Sequence, residues 1–181
     1  SAILSDTGLG LTDMKPITDE LTALPVSVVN THGHVDHISC NYQYDTAYLH
    51  PADEEVFLQH SAHDYRYYLL AGLLKEARLP AWLLKLPILR TRVEKFCSIP
   101  ARENRRPLSD GQRLELGGRS LEAIATPGHT PGSVCLLDCE RRQLFSGDTV
   151  CAEGVLLQLD HSCSVETYKT SILGLKSASD K

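Results

Sequence analysis

The sequence lacks the long apolar run that a membrane-spanning helix needs. Its most apolar stretch, 79–89 (LPAWLLKLPIL), is too short and contains two prolines and a lysine. A positively charged leader followed by an apolar block is also missing. We therefore expect no membrane partner and a cytoplasmic location.

Basic residues are in deficit. The 181 residues include 18 Lys and Arg against 23 Asp and Glu, which gives a net charge of −5. Proteins that neutralise nucleic-acid phosphates need an excess of basic side chains, so the charge balance argues against nucleic acid as a partner. With 42% hydrophobic and 23% charged residues, the chain is expected to fold as a single domain over 1–181.

A CxxC pair is absent as well. The six cysteines stand at 40, 97, 135, 139, 151 and 163. Only Cys135 and Cys139 are close in sequence, and without a second pair they are a weak zinc-finger signal. Reduced structural thiols in a reducing cytoplasm are the expected state.

Hydrophobic periodicity predicts strands alternating with helices, and then short strands. Ile17, Leu21 and Leu24 have the spacing of one helix face, with Thr12 or Asp13 as the cap. The β-branched segment 26–29 is typical of a buried strand, and it delivers 31–37 at its C-terminal end. Further strands are predicted at 2–5, 46–50, 113–116, 120–125, 133–137 and 143–146, and further helices in a helical insertion at about 51–92 and at 165–175.

Three histidines and an aspartate fall within six residues, at His32, His34, Asp36 and His37. In an extended loop, His32 and His34 point to one side, and a following turn can aim Asp36 and His37 at a second position nearby. Imidazole and carboxylate groups are common zinc ligands. The segment therefore predicts the beginning of two adjacent metal sites.

Two later segments each place one potential ligand on a turn. In TPGHTPGS (126–133), two prolines and two glycines surround His129 and stiffen the backbone around it. In SGD (146–148), Asp148 follows a predicted strand, where a carboxylate can bridge two cations. Taken alone, each segment is equally typical of an ordinary connecting turn.

Four segments of the chain, taken in order, resemble the motifs of the metallo-β-lactamase fold superfamily. They are Asp6-Thr7-Gly8, Thr31–His37, Thr126–Ser133 and Ser146–Asp148. The resemblance is greatest to its glyoxalase-II-like hydrolase branch and runs from about Ile3 to Leu175. It implies an α/β fold, a four-layer αββα sandwich with the metals at one edge.

The resemblance also implies a set of site residues and a reaction. The residues are His32, His34 and His129 for the first metal, Asp36 and His37 for the second, Asp148 as the bridge, and Asp6 as support for the histidine loop. The implied cofactor is zinc, as one or two ions, with iron or manganese as alternatives. A metal-bound hydroxide, oriented by Asp36 as the catalytic residue, would then hydrolyse an ester, thioester or related bond of a small-molecule substrate.

The chain departs from the family pattern at both ends. The β-hairpin that precedes the Asp-Thr-Gly strand in the family is missing, and so is the histidine that follows the final helix. His161 lies too early to replace that histidine. We therefore expect a partial domain with an incomplete second site and an open sheet edge. Such an edge favours a homodimer, with exchanged strands as one arrangement.

Two other functions stay open at this point. One is a persulfide-dioxygenase-like enzyme with a single iron ion, for which the family pattern implies His32, His129 and Asp148. The other is a catalytically inactive remnant that keeps its metal for folding.

Several residues outside the motifs are given structural roles. Tyr65, Tyr68 and Trp82 are interpreted as core residues, with an acyl or aromatic pocket as the alternative. His60 is expected on the surface. The acidic segment 53–55 is expected to favour a helix N-terminus through its charge.

Overall fold

The computed structural model describes residues 1–101 and 104–179, except for the side chains of 178 and 179. Within them, the strands form two four-stranded sheets. The strands are β1 (Ala2–Ser5), β2 (Val26–Val29), β3 (Ala47–Leu49), β4 (Arg105–Pro107), β5 (Arg113–Glu115), β6 (Ser120–Ala125), β7 (Val134–Asp138) and β8 (Gln143–Phe145). The α-helices are α1 (Lys15–Leu21), α2 (Val35–Ile38), α3 (Glu54–Ser61), α4 (His63–Glu76), α5 (Pro87–Cys97) and α6 (Val165–Ser179).

The first sheet has the order β1-β2-β3-β4, and its neighbouring strands are parallel. The carboxyl ends of parallel strands meet at one edge of a sheet. Asp6, which follows β1, and the histidine loop 31–37, which follows β2, therefore lie side by side. This edge is where the motif residues collect.

The second sheet is antiparallel in the order β5-β6-β7-β8. Gly117 and Gly118 have φ values of 81° and 127° and form the predicted turn between β5 and β6, a conformation that favours glycine. The backbone N–H of Val134 donates to the carbonyl of Thr31 at 2.8 Å. That bond ties the start of β7 to the loop after β2.

A hydrophobic core lies between the two sheets. Val29 of the first sheet packs in one cluster with Leu114, Leu121, Val134 and Leu136 of the second. On the opposite face of the first sheet, Val28 and Ala47 pack with Met14, the residue before α1. A separate cluster joins Val35 to apolar side chains of α4 and α5. These layers are those of the αββα sandwich expected from the motifs.

The cap predicted for α1 is wrong. Neither Thr12 nor Asp13 caps the helix, because Oε1 of Gln43 accepts the N–H groups of Met14 and Lys15 at 2.9 and 2.8 Å. The apolar face of the helix is largely exposed, so periodicity alone did not indicate burial here.

Strand β4 was not predicted. Its composition, two arginines and a proline, disfavours a strand, yet it pairs with β3 at the edge of the first sheet. The Arg105 guanidinium lies 4.2 Å from the centre of the Phe57 ring and 2.6 Å from Oε1 of Glu54.

Among the described residues, no helix has both the length and the apolarity to cross a membrane.

Candidate metal centre

Three imidazole nitrogens converge at the edge where the two sheets meet. Nδ1 of His34 lies 3.0 Å from Nε2 of His32 and 3.0 Å from Nε2 of His129. All three side chains are buried. His32 and His34 come from the loop after β2, and His129 comes from the loop after β6. Each sheet therefore supplies part of this first group.

Neighbouring oxygens fix the tautomers of two of these rings. The carbonyl of Leu156 accepts a hydrogen bond from Nδ1 of His129 at 2.8 Å. The hydroxyl of Thr31 donates to Oδ2 of Asp6 at 2.8 Å, so its oxygen accepts from Nδ1 of His32, which lies 3.2 Å away. In both rings, Nε2 is left with a lone pair that faces the group.

The first group suits a cation. Nδ1 of His34 carries at most one proton and cannot serve both Nε2 atoms, so without a cation at least one Nε2 lone pair is left without a donor. Nitrogen ligands at the usual distance from a tetrahedral zinc ion stand about 3.3 Å apart. The donor set therefore fits a divalent transition-metal ion.

The protonation state of the first group also suits metal binding. Burial lowers the pKa of His34 to about 2, and repulsion from the imidazoles of His60 and His129 acts in the same direction. Burial likewise puts the pKa of His32 well below its ordinary value. Both rings are neutral at physiological pH, so no proton has to leave before an ion binds.

A second group of potential ligands adjoins the first. The ligand atoms of His32, His37 and Asp148 lie within 4.8 Å of one another. Oδ1 of Asp148 is 3.5 Å from Nε2 of His37, and Oδ2 is 3.4 Å from Nε2 of His129. Asp148 therefore extends one oxygen toward each group, as a bridging carboxylate would.

Asp36 lies at the outer side of the second group. Its Oδ2 is 3.7 Å from Nε2 of His37, and its side chain is 58% exposed. Asp36 thus faces both the second group and solvent. His161, the later histidine, contacts Gln59 instead.

Asp6 supports both groups from behind. Its carboxylate accepts the N–H and the hydroxyl of Thr31, each at 2.8 Å. Its Oδ2 also lies 2.9 Å from Nδ1 of His37. Burial by itself would lower the pKa of His37, but Asp6, aided by Asp36 and Asp148, raises it. The structure thus brings all seven residues of the predicted site to one edge of the fold.

Asp53 was missed by the sequence analysis. Its fully buried carboxylate accepts the N–H of Gly33 at 2.7 Å, the N–H of Gly132 at 2.6 Å and the hydroxyl of Thr130 at 2.7 Å. Burial raises its pKa in spite of these three bonds. Asp53 therefore joins the His32/His34 loop to the His129 loop, where the sequence predicted only a favourable helix charge.

His60 was predicted on the surface, and that prediction is wrong. The side chain is buried and its ring stacks on His34, while Nδ1 accepts the N–H of Val35 at 3.1 Å. Burial lowers its pKa to about 4. The spacing of His60 from the buried Val56 and Phe57 is the signal that could have placed it on the inner face of α3.

Close backbone approach holds Asp148 near the histidine loop. Gly147 has φ +48°, and a Cβ at this position would collide with Oγ1 of Thr31. Only glycine combines this conformation with this contact. The glycine of the SGD segment is therefore required for the segment to approach the loop.

Comparison with known proteins agrees with this architecture. The sequence model of the metallo-beta-lactamase superfamily matches residues 1–179. The bovine (Bos taurus) acyl-coenzyme A thioesterase MBLAC2 is 31% identical over 160 residues, covering 82% of this chain and 54% of the relative. The chain thus spans about half the length of that relative.

Two further proteins are similar in sequence or structure. The probable polyketide biosynthesis zinc-dependent hydrolase BaeB of Bacillus velezensis is 41% identical over 71 residues, 39% of this chain and 31% of the relative. The crystal structure of TTHA1623 in a di-iron-bound form superposes with a TM-score of 0.61 and 25% identity, covering 97% of this chain and 75% of that one.

The two-sheet architecture, the order of the ligand-bearing turns and the match over nearly the whole length lead to one assignment. This chain belongs to the metallo-β-lactamase superfamily.

Proposed function

We propose that this chain is the metal-binding part of a hydrolase that cleaves a thioester or related ester of a small molecule. The observation that carries the proposal is the convergence of one ring nitrogen each from His32, His34 and His129. The name of the MBLAC2 relative supports the thioester as the bond cleaved.

His32, His34 and His129 would hold the first ion, and Asp36 and His37 the second, with Asp148 between them. When bound, such ions supply Lewis acidity toward a carbonyl oxygen and lower the pKa of water. Zinc is the proposed metal because BaeB is named a zinc-dependent hydrolase. Iron and manganese stay open, and the TTHA1623 structure contains iron.

Asp36 is the proposed catalytic residue. Its carboxylate is exposed to solvent beside the second group, within reach of an entering water. In this position it would orient that water and accept its proton as the water attacks the carbonyl carbon. Asp6 and the buried Asp53 would contribute by holding the loops through their hydrogen bonds.

Metal analysis combined with a substrate panel tests the proposal. We expect the purified chain to bind zinc and to hydrolyse acyl-coenzyme A. The Asp36→Asn variant should keep the ion held by His32, His34 and His129 while losing turnover. Oxygen consumption with a persulfide and a single bound iron would instead favour the dioxygenase-like alternative. Bound metal without turnover of any thioester or ester would favour the inactive remnant.

The homodimer and the glyoxalase-II-like branch stay proposals, as does the cytoplasmic location. The dimer is supported by β1, which lies at the edge of its sheet, and by the nearby side chains of Leu21 and Leu24, which are 79% and 55% exposed. We propose that a second copy covers this face. Light scattering should give a dimeric mass that falls to a monomeric one in Leu21→Glu, and a monomeric wild-type chain would refute the pairing.

A further inference from the structure

Helix α4 carries a groove that the proposed chemistry does not use. A cavity of about 660 Å³ lies between this helix and the segment that follows it, with a largely apolar lining. The residues around it are Tyr68, Ala71, Gly72, Lys75, Arg78 and Leu79, together with Pro80 and Ala81. Tyr68 and Trp82 are 70% and 59% exposed, so their interpretation as core residues is wrong.

The helix that lines the groove also approaches the metal centre, through His60. The Tyr65 ring lies 4.4 Å from the ring of His60, which in turn stacks on His34. One face of the helix carries four residues spaced three or four positions apart, namely Tyr65, Tyr68, Gly72 and Lys75. The helix face that contacts His60 therefore continues into the groove, and roughly 20 Å of helix axis separates Tyr65 from Arg78.

The far end of the groove is positively charged. Lys75 and Arg78 line it, and within the described residues neither side chain has a carboxylate at ion-pair distance. Two uncompensated cations beside an apolar groove suit a ligand that is apolar along its length and anionic at its end.

Arg78 occupies a backbone position that favours glycine. Its φ is +57°, and it terminates α4 in a Schellman motif, in which Leu79 N–H donates to Leu74 O at 2.7 Å and Arg78 N–H to Lys75 O at 3.0 Å. An arginine at this position strains the backbone. Glycine would fit this backbone position without strain, but it would not provide the guanidinium that lines the groove.

We propose that this groove binds the phosphate-bearing arm of an extended thioester, with the phosphates at Lys75 and Arg78 and the thioester carbonyl at the metal centre. The inference rests on the proposed function, since it assigns the substrate class of that same site. A pantetheine arm is an extended, mostly uncharged chain that joins a thioester sulfur to phosphates, so it matches an apolar groove with two cations at its far end.

Direct binding tests this assignment without turnover. The probes are S-hexyl coenzyme A, a thioether that cannot be hydrolysed, and S-hexyl pantetheine, which lacks the phosphates. By calorimetry, Lys75→Ala combined with Arg78→Ala should raise the Kd of the first probe at least tenfold and leave that of the second unchanged. Arg92→Ala, at an exposed arginine of α5, is the matched control and should change neither Kd.

Arg78→Gly separates recognition from folding. Because glycine relieves the strained position, we expect the Tm to stay level or rise while the Kd of S-hexyl coenzyme A increases. A double variant that binds this probe like the wild type would overturn the assignment. So would a wild-type chain with equal Kd values for the two probes.

Failure of the groove and failure of the proposed reaction are distinguishable. If the chain hydrolyses a thioester but its Kd for S-hexyl coenzyme A does not depend on Lys75 and Arg78, the groove assignment is wrong and the proposed hydrolase is still supported. Binding that depends on both cations, in a chain that hydrolyses no thioester, would support the groove and remove the reaction.

Discussion

The imidazole of His60 stacks on that of His34, with ring centres 4.4 Å apart and planes inclined by 28°. His60 is not among the candidate ligands, so its contact orients a ligand without replacing one. Its Nδ1 also accepts the N–H of Val35, the residue that follows His34. One side chain thus restrains both the ring and the backbone of the metal-binding loop.

Replacing His60 should weaken metal binding without removing a ligand. His60→Phe keeps a ring over His34 but leaves the Val35 N–H without its acceptor. We expect zinc affinity to fall by about 10- to 100-fold, as is typical when a group that orients a ligand is lost. Competition titration with a chelating dye measures the change. Unchanged affinity would show that the hydrogen bond from Val35 to His60 has no part in positioning the metal-binding loop.

Replacing His129 should have a different and larger effect. His129→Ala removes one of the three nitrogens of the first group, and we expect the first-group ion to be lost altogether. Elemental analysis of the purified variant gives the zinc content per chain. The same stoichiometry as the wild type would exclude His129 from the ligand set, whatever the reaction.

Asp53→Asn should destabilise the fold and the metal centre together. The amide cannot accept from Gly33, Gly132 and Thr130 at once, because its NH₂ group turns toward at least one of these donors. Each buried donor left without an acceptor costs about 1–3 kcal/mol. Chemical denaturation measures the loss, and zinc titration of the folded fraction measures the effect on the loops. If both the free energy of unfolding and the zinc affinity were unchanged, Asp53 would not be the link between the two loops.

Gly132→Ala should also be destabilising, because its Cβ would stand 2.7 Å from the backbone nitrogen of Asp53 and 2.8 Å from its Cβ. Overpacking of this kind costs about 1–3 kcal/mol. Gly174→Ala is the matched control, since it lies within α6 with open space around its Cβ, and it should stabilise by about 0.5–1 kcal/mol. A Gly132→Ala chain as stable as the control would mean that the approach to Asp53 is not tight.

The sequence was sufficient to indicate which side chains meet at this edge of the fold, because the signal of these candidate ligands is local. Histidines and an aspartate at fixed spacing, and turns stiffened by proline and glycine, can be interpreted without knowledge of the fold. The central strand at 26–29 was predicted for the same reason, since β-branched residues favour strands by their own shape.

The supporting residues could not be predicted in this way. Asp53 differs from Glu54 and Glu55 only in what surrounds it, and its three donors come from two distant loops. Strand β4 exists because β3 offers it a partner. The apolar face of α1 shows the converse, since helical periodicity is present there without a layer to cover it.

The first group joins His34 to His129 across 95 positions of sequence. An ion cannot gather these ligands until the two sheets have docked, so it cannot nucleate folding. Bound metal would stabilise the finished structure far more than the transition state that precedes it. It should therefore slow unfolding and leave the folding rate almost unchanged. For a chain emerging from the ribosome, metal uptake is accordingly a late event that follows synthesis of both sheets.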